Sequence, residues 1–292
     1  MTKFLVTLLL LLACDTGFAI SVIDDEGNKL VMNKPAKRVI TLSPSLAEMF
    51  YTFGAQDSLV ATVQHSNYPE AAKSKPRIGN YERFVMERLI GFQPDLVVAW
   101  ASANNAQQLM QLEKLNIPVY RSEPRALSDI SKTIRNLGVV TGFQEQANQV
   151  ANTFDERLLQ LQENNKHKSV LNGFYQVWHK PVYTVNGQHV ISKLMKLCGL
   201  NNIFEHAKII APKVTVESVI KRNPDVIIAS GMASAQPEWL DQWRTWPTIK
   251  AVKMDNLFFI HPDLIQRQSI RLLDAAEIMC QQADEARSRL NK

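Results

Sequence analysis

The chain lacks the short motifs that mark many enzymes of phosphate, nucleotide, zinc and ester chemistry. It contains no P-loop, no glycine-rich dinucleotide fingerprint, no paired-cysteine or zinc-protease motif and no serine-hydrolase elbow. Its six histidines are scattered without the spacing of metal ligands. No nucleophile stands beside a base in the sequence, so a catalytic or metal site would have to be assembled from distant residues. A binding protein is therefore the favoured class, and an enzyme is the alternative.

The charge of the chain is neither large nor concentrated in one segment. The formal net charge is +5 at pH 7, and there is no long run of basic residues, so nucleic acid is not an expected partner. Hydrophobic residues make up 46% of the 292 residues, which is enough for two lobes that each have a core.

Long hydrophobic runs are also rare, and the longest is at the start of the chain. Lys3 precedes the apolar stretch 4–13, and the small residues Gly17 and Ala19 form a cleavage site, as in a secretion signal over residues 1–19. This stretch is too short for a stable membrane anchor. Cleavage after Ala19 predicts a secreted, soluble mature chain, and the alternative is a lipoprotein acylated at Cys14.

Cysteine is scarce, since the chain has only three. Removal of the signal sequence would take away Cys14 and leave Cys198 and Cys280, an even number in an oxidising compartment. We therefore expect a disulfide between these two residues, which would cross-link parts of the second half of the chain only. The alternative is a pair of buried free thiols.

Strands alternate with helices in both halves of the chain, which predicts parallel sheets covered by helices. In the first half the predicted elements are a hairpin over 21–32, strands at 38–42, 59–63, 96–100 and 119–121, and helices at 46–53, 87–92 and 106–115. In the second half they are strands at 169–177, 226–230 and 257–260, and helices at 190–197, 216–222 and 270–286.

The two halves are joined by a stretch that has the periodicity of one long helix. Apolar residues recur on one helical face from Phe143 to Leu161, and the polar run 164–168 ends the pattern. The sequence thus predicts an α/β protein of two Rossmann-like lobes with parallel sheets, joined by one long α-helix. The predicted bounds are a first lobe over 20–142, a linking helix over 143–165 and a second lobe over 166–292.

A repeated segment indicates that the two lobes are built alike. Residues 87–99 and 217–229 share the frame E-x-h-I-x-x-x-P-D-h-h-h-A, in which h is an aliphatic residue. Each copy predicts a short helix, a Pro-Asp turn and a buried strand. Glu87 and Glu217 open the two copies, and a carboxylate in the first turn of a helix is favoured by the helix dipole. The residues alone therefore favour a role for these glutamates as helix starts.

The residues that follow the predicted strands indicate a kind of ligand. In open α/β sheets, ligands bind outside the carboxyl ends of the strands. The residues at these ends are mostly aromatic or neutral polar, at positions 43–45, 65–68, 100–103, 183 and 261–263. Such a set suits a large, flat, largely uncharged ligand held by stacking and edge hydrogen bonds, and it suits a free phosphate or a bare metal ion poorly.

These features together resemble the periplasmic substrate-binding proteins of ABC importers for cobalamin, haem and siderophores, and most closely the cobalamin-binding members. The resemblance extends over essentially the whole mature chain. The positions that carry it are 42–48 (LSPSLAE), 66–69 (SNYP), 87–88 with 94–100, 198–199 with 202–204, 217, and the spacing from 271 to 280.

The resemblance implies a docking role for the paired glutamates. In this family one exposed glutamate on each lobe docks against arginines of a permease subunit, and Glu87 and Glu217 occupy the matching positions. The implied partners are a permease dimer and separate ATPase subunits, and the protein itself is expected to be a periplasmic monomer. Contact with the membrane would be made only through the permease. Cobalamin is then a transported ligand, and neither a cofactor nor a resident metal ion is expected.

The resemblance also implies a set of ligand-binding residues in the cleft between the lobes. The family's aromatic contacts and its polar contacts from the second lobe correspond to Tyr81, Trp100, Tyr183, Asp263 and Arg267.

Two positions depart from the pattern of the cobalamin-binding members. His65 stands where those members have a tyrosine, and Ala211 stands where they have a tryptophan. His65 is included in the predicted ligand-binding set. The departures leave haem or a ferric siderophore as an alternative ligand, and an enzyme with an interlobe active site is the alternative of another class.

Overall fold

The structure is a computed structural model that describes residues 19–231 and 238–290. The predicted signal sequence, except for Ala19, and the alternative acylation site Cys14 lie outside the described residues. Within the described part of the chain, no helix combines the length and the apolar character needed to cross a membrane.

The first half of the chain forms a hairpin, a parallel sheet and helices. Its strands are β1 (Ile20–Ile23), β2 (Lys29–Met32), β3 (Val39–Thr41), β4 (Leu59–Ala61), β5 (Leu96–Trp100) and β6 (Val119–Ser122), and its helices are α1 (Pro44–Thr52), α2 (Met86–Gly91), α3 (Ala106–Lys114) and α4 (Ser128–Thr141). Short 3-10 helices occupy Gln56–Ser58 and Glu70–Ser74. Strands β1 and β2 pair antiparallel, as predicted for the hairpin, and the other strands form a parallel sheet in the order β4-β3-β5-β6.

The second half follows the long joining helix α5 (Gln144–Asn165). Its strands are β7 (Leu171–Gln176), β8 (Trp178–His179), β9 (Val182–Tyr183), β10 (Leu200–Asn202), β11 (Val226–Ala229) and β12 (Leu257–Phe259). Its helices are α6 (Val190–Leu197), α7 (Val216–Arg222), α8 (Lys250–Lys253), α9 (Pro262–Ile265) and α10 (Leu272–Leu290), with a 3-10 helix at Glu238–Thr245. Strands β8 and β9 form a small antiparallel ribbon, and the others form a parallel sheet in the order β10-β7-β11-β12.

The two sheets have the same topology. In each, the strands lie in the order second, first, third and fourth along the chain, counted within the sheet. The predicted fold class, two α/β lobes with parallel sheets joined by one long helix, is confirmed. In each lobe the strand order reverses beside the first strand, and the carboxyl ends of the first and third strands flank the crevice where such sheets bind ligands.

Helix α4 is not among the elements predicted from the sequence, although its buried residues Ile130, Ile134 and Leu137 recur at helical spacing. Its segment is rich in β-branched residues and contains Gly138, all of which are poor helix formers in isolation. Helix α4 packs closely against α5, since a Cβ atom at Gly138 would lie 2.2 Å from the Cβ of Ala147. Glycine is therefore needed where the two helices approach. Gly142 ends α4 with a φ of 80°, which turns the chain directly into α5.

Helix α5 occupies the span that the apolar pattern predicts. Its buried residues lie on one face, at Ala147, Ala151, Phe154, Leu158 and Leu161. They belong to one continuous hydrophobic cluster that contains residues from both sheets, from α4 and from α10. The joining helix is thus part of the core rather than an exposed tether. The lobe boundaries at 142 and 166 stay a prediction.

The repeated Pro-Asp turn has the same structural task in each lobe. The carboxylate of Asp95 accepts hydrogen bonds from the backbone N–H groups of Lys37 and Arg38, both at 2.9 Å. The carboxylate of Asp225 accepts one from the backbone N–H of Asn172 at 2.8 Å. Each aspartate thereby ties the start of the third strand of its sheet to the start of the first. The Pro-Asp part of the repeat is scaffold.

His189 links the stability of the second lobe to pH. It precedes α6, and its Nδ1 accepts a hydrogen bond from the backbone N–H of Ile191 at 3.1 Å. Burial lowers the pKa of His189 to about 4 from its ordinary 6.5. Below pH 6.5 the unfolded chain therefore binds a proton that the folded protein does not accept until about pH 4. The stability that the folded protein gains from neutral His189 is fully present above pH 6.5, and it falls as the pH drops from 6.5 towards 4.

We expect the wild type to lose about 2–3 kcal/mol of unfolding free energy through His189 between pH 6.5 and 4. His189→Asn keeps a capping acceptor without a titrating group, so its stability should fall less over this interval. Urea unfolding at several pH values measures the difference. His167→Asn, at an exposed histidine, is the control and should follow the wild type. Parallel curves for His189→Asn and wild type would contradict the prediction.

Candidate functional site

The first-lobe part of the candidate site is built where β3 and β5 end. Trp100 is the last residue of β5, and its backbone N–H donates to the side-chain oxygen of Asn104 at 2.6 Å. The amide group of Asn104 donates to the carbonyls of Leu42 at 3.0 Å and Tyr81 at 2.5 Å. Asn104 is buried, so one side chain fixes the ends of two strands and the segment that carries Tyr81. Sequence reasoning missed this residue, whose only signal is a polar pair at 104–105 after an aromatic strand end.

Tyr81 and Trp100 form an aromatic pair at this edge. Their ring centroids lie 6.1 Å apart with an interplanar angle of 38°. Burial raises the pKa of Tyr81 above its ordinary value, so its phenol stays protonated and able to donate a hydrogen bond. The indole Nε1 of Trp100 is buried and has no hydrogen-bond partner among the described residues. A buried donor without a partner is unfavourable.

His65 lies in a loop next to this pair. The backbone N–H of Gln64 donates to the carbonyl of Gly79 at 2.8 Å, which places the loop beside the segment leading to Tyr81. The loop is held from inside by a hydrogen bond between Thr62 and Ser66 at 2.5 Å. His65 has a φ of 65°, and its side chain is exposed. The structure thus brings three of the predicted ligand residues to one edge of the first lobe.

Tyr183 is the predicted aromatic contact of the second lobe. It lies in β9 opposite Trp178, and its side chain is 37% exposed. A bridge pairs it with Lys213, and the next residue, Thr184, donates its backbone N–H to the carbonyl of Pro212 at 3.1 Å. This pairing places the exposed Ala211 near Tyr183 on the same edge. Cobalamin-binding members have a tryptophan at the position of Ala211. The missing aromatic ring would therefore have lain on the surface beside Tyr183.

Arg267 and Asp263 lie where the second lobe meets the first. The guanidinium of Arg267 contacts the carboxylate of Asp263 at 2.8 Å and that of Glu48 at 2.5 Å. It also donates to the side-chain oxygen of Asn67 at 2.7 Å and the carbonyl of His65 at 3.2 Å. Only 9% of the Arg267 side chain is exposed, against 36% for Asp263. Arg267 is thus largely committed to protein contacts, and its ligand role stays a prediction.

Two cavities of the structure lie away from these residues. One, of about 280 Å³, is between α5 and α10 and is lined by Val150, Phe154 and Leu273 among others. The other, of about 370 Å³, is beside α6 and is lined by Ser192 and Asn202 among others. Neither is lined by a predicted ligand residue, so we place the candidate site in the interlobe cleft and not in these cavities.

Glu87 and Glu217 occupy equivalent places on the two lobes. Each lies in the first turn of a short helix, α2 or α7, and each side chain is exposed. Thr215 caps α7 by accepting a hydrogen bond from the backbone N–H of Ser218 at 3.2 Å, whereas Val85 offers no such cap to α2. Among the described residues, neither glutamate forms an ion pair. Both carboxylates are therefore available to an outside partner.

Cys198 and Cys280 form the predicted disulfide. The S–S distance is 2.06 Å, and the bond joins the end of α6 to α10 across 82 residues of sequence. The alternative of two free thiols is not what the structure shows. Within residues 19–231 and 238–290, no group of three or more histidine, cysteine, aspartate or glutamate side chains is arranged to hold a metal ion.

Two lobes of equal topology, one joining helix packed in the core, and aromatic and polar side chains at the strand ends define a two-lobed ligand-binding protein. Comparison with known proteins gives the family. Residues 39–264 match the model of the periplasmic binding protein family, and the chain belongs to this family.

Individual relatives agree with this assignment. The chain is 34% identical over 257 residues to the vitamin B12-binding protein of Vibrio campbellii, covering 88% of this chain and 93% of the relative. It resembles the crystal structure of the periplasmic vitamin B12 binding protein BtuF of Vibrio cholerae with a TM-score of 0.81 and 30% identity, over 87% of this chain and 98% of that one. The periplasmic heme-binding protein RhuT from Roseiflexus has a TM-score of 0.75 at 16% identity, over 86% of this chain and 99% of that one, which shows the shared fold alone.

Proposed function

We propose that this protein captures cobalamin in the cleft between its lobes and delivers it to an ABC-type importer. The observation that carries the proposal is the Tyr81–Trp100 pair, whose rings lie 6.1 Å apart at the switch point of the first sheet. A corrinoid is a large, flat ring system edged with amide groups. Its face suits contact with the aromatic rings of Tyr81 and Trp100.

The relatives support the same ligand. The Vibrio proteins that are similar over most of their length are named for vitamin B12 binding. We propose that the protein performs no chemistry on the ligand, that cobalamin is cargo rather than a cofactor, and that the protein acts as a monomer in the periplasm. The permease dimer and the ATPase subunits are proposed as separate chains.

Haem is the second candidate, and His65 is the observation that favours it. An exposed imidazole in the cleft is a good ligand for an iron centre. A ferric siderophore is favoured less, because an anionic ligand needs free positive charge in the cleft. Arg267, the predicted cation, is already paired with Glu48 and Asp263.

Calorimetric titration of the mature protein with cyanocobalamin, cobinamide and haemin tests the ligand. We expect corrinoid binding at micromolar concentration or tighter. Trp100→Ala should weaken it by about 10- to 100-fold, since a central aromatic contact contributes about 1.4–3 kcal/mol. Trp246→Ala, in the hydrophobic cluster of the second lobe, is the matched control and should bind as the wild type does.

The outcomes separate the candidates. No corrinoid binding at micromolar concentration contradicts the main proposal. Haemin binding without corrinoid binding would make the protein a haem carrier, and His65→Ala would then be expected to change the absorption spectrum of the bound haemin.

A further inference from the structure

Glu48 is a buried carboxylate whose side-chain partners all come from the other lobe. It lies in α1 of the first lobe and is 1% exposed. Its oxygens accept hydrogen bonds from Arg267 at 2.5 Å, from the hydroxyl of Ser269 at 2.8 Å and from Arg271 at 3.3 Å. These residues lie more than 200 positions away along the chain, between α9 and α10. No sequence periodicity links them to Glu48.

The same two arginines reach a second part of the first lobe, the loop 65–68. Arg267 donates to the carbonyl of His65 at 3.2 Å and to the side chain of Asn67 at 2.7 Å. The guanidinium of Arg271 lies 3.7 Å from the centre of the Tyr68 ring, the geometry of a cation–π contact. One glutamate and two arginines therefore connect α1, the second lobe and a loop that carries a predicted ligand residue.

The charges in this cluster depend on one another. Burial raises the pKa of the Glu48 carboxyl, and the guanidinium of Arg267 opposes the shift. A carboxylate at this depth is costly unless it is paired and hydrogen-bonded, and the contacts from Arg267, Ser269 and Arg271 meet both conditions. Loss of the carboxylate would leave two largely buried guanidinium groups with less counter-charge. Asp263 would remain beside Arg267, but it does not contact Arg271 within the described residues.

We propose that Glu48 is a positioning residue that couples the lobes at the base of the cleft. By holding Arg267 and Arg271 in place, it fixes the loop 65–68 against the second lobe in the conformation that receives the ligand. The first-lobe surface that meets the ligand is thus set by side chains of the second lobe. The ligand part of this inference rests on the proposed corrinoid binding, whereas the coupling of loop and lobe does not.

Glu48→Gln is the main test, because glutamine has nearly the same shape, removes the charge and replaces one of the two acceptor oxygens with an NH2 group. Two quantities are measured: amide hydrogen exchange over residues 64–69 without ligand, and the affinity and dissociation rate for cyanocobalamin. We expect exchange in the loop to accelerate about tenfold or more and affinity to fall about tenfold or more, mainly through faster dissociation. The circular dichroism induced in the bound corrinoid should also change, because the ring would lie differently against Trp100.

Asp225→Asn provides the matched control. Asp225 is also a buried carboxylate with backbone and lysine partners, but all of them belong to its own lobe. This variant should lower the unfolding temperature while leaving loop exchange and ligand affinity unchanged. If Glu48→Gln does not fold, Arg271→Gln replaces it, since this variant keeps the Glu48–Arg267 pair and removes both the cation over Tyr68 and the Arg271 contact with Glu48. It should accelerate exchange in the same loop.

The proposal is overturned if folded Glu48→Gln shows wild-type exchange over 64–69, or if Asp225→Asn accelerates that exchange equally. Faster exchange with unchanged affinity also overturns it, since the loop would then not position a ligand contact. A wild type that binds no corrinoid would refute the proposed ligand instead, and exchange in the free protein would still decide the coupling.

Discussion

The double variant Glu87→Ala with Glu217→Ala is expected to bind cyanocobalamin as tightly as the wild type and to support no measurable uptake. Both carboxylates are exposed, lie at the start of short helices and have no ion-pair partner among the described residues. The same frame places one on each lobe, which suits a partner made of two equivalent subunits. Removing one member of a close charge pair at an interface costs about 2–5 kcal/mol. Losing two such pairs should reduce uptake by at least about 100-fold.

The measurement is ATP-dependent uptake of labelled cyanocobalamin by the cognate permease and ATPase reconstituted in vesicles. Ligand affinity is determined separately by calorimetry, because neither glutamate belongs to the proposed ligand site. Glu145→Ala is the matched control, since Glu145 is an exposed glutamate in the first turn of α5 but lies outside the repeat. It should leave uptake unchanged.

The same experiment tests the alternative that Glu87 and Glu217 only stabilise the first turns of their helices and do not dock to a partner. In that case each alanine would cost about 0.3–1 kcal/mol of stability through the helix dipole and uptake would stay normal. Normal uptake by the double variant would therefore refute the docking proposal. Loss of uptake in the Glu145→Ala control would show that uptake depends on glutamates at helix starts in general and not on the two glutamates of the repeat.

Removal of the disulfide should give the largest loss of stability. Cys198 and Cys280 close a loop of 82 residues, and restraining a loop of this size in the unfolded chain is worth about 4 kcal/mol. Cys198→Ser with Cys280→Ser should therefore lower the unfolding free energy by about this amount and the unfolding temperature by about 10 °C.

Thermal and denaturant unfolding, with and without reductant, measure this effect. Reductant should lower the midpoint of the wild type and leave that of the double variant unchanged. Cys198→Ala with Cys280→Ala separates the loss of the cross-link from the cost of burying two serine hydroxyls. Equal midpoints for wild type and both variants would show that the two sulfur atoms are not joined.

Elements with strong local signals could be predicted from the chain. Strand β5 and helices α6 and α7 have the predicted bounds, since each is a short apolar or amphipathic run between turn residues. The repeat predicts that both lobes share a plan, and the identical strand order agrees with it. Helix α4 was not predicted, because its β-branched residues and Gly138 lower the helix propensity, although Ile130, Ile134 and Leu137 recur at helical spacing.

The candidate site was predictable in its residue types but not in its contacts. Aromatic and neutral-polar residues after the strands indicate a flat, uncharged ligand, and family resemblance assigns particular positions. The structure adds Asn104, which holds Tyr81 and Trp100 together through their backbones. It also shows that Arg267 is paired with Glu48 and Asp263. Arg267 is therefore not a free cation, and the sequence alone did not indicate this.

The sequence by itself determined the α/β class, the joining helix, the cysteine pair and the two equivalent glutamates. These follow from periodicity, composition and a repeated frame, which are properties of neighbouring residues. Only the tertiary structure decided how the lobes are held together and which groups are left free. Glu48 meets Arg267 and Arg271 across more than 200 residues, and burial of those charges depends on the packing of two lobes around α5. A local pattern contains no information about a contact that exists only once both lobes have folded.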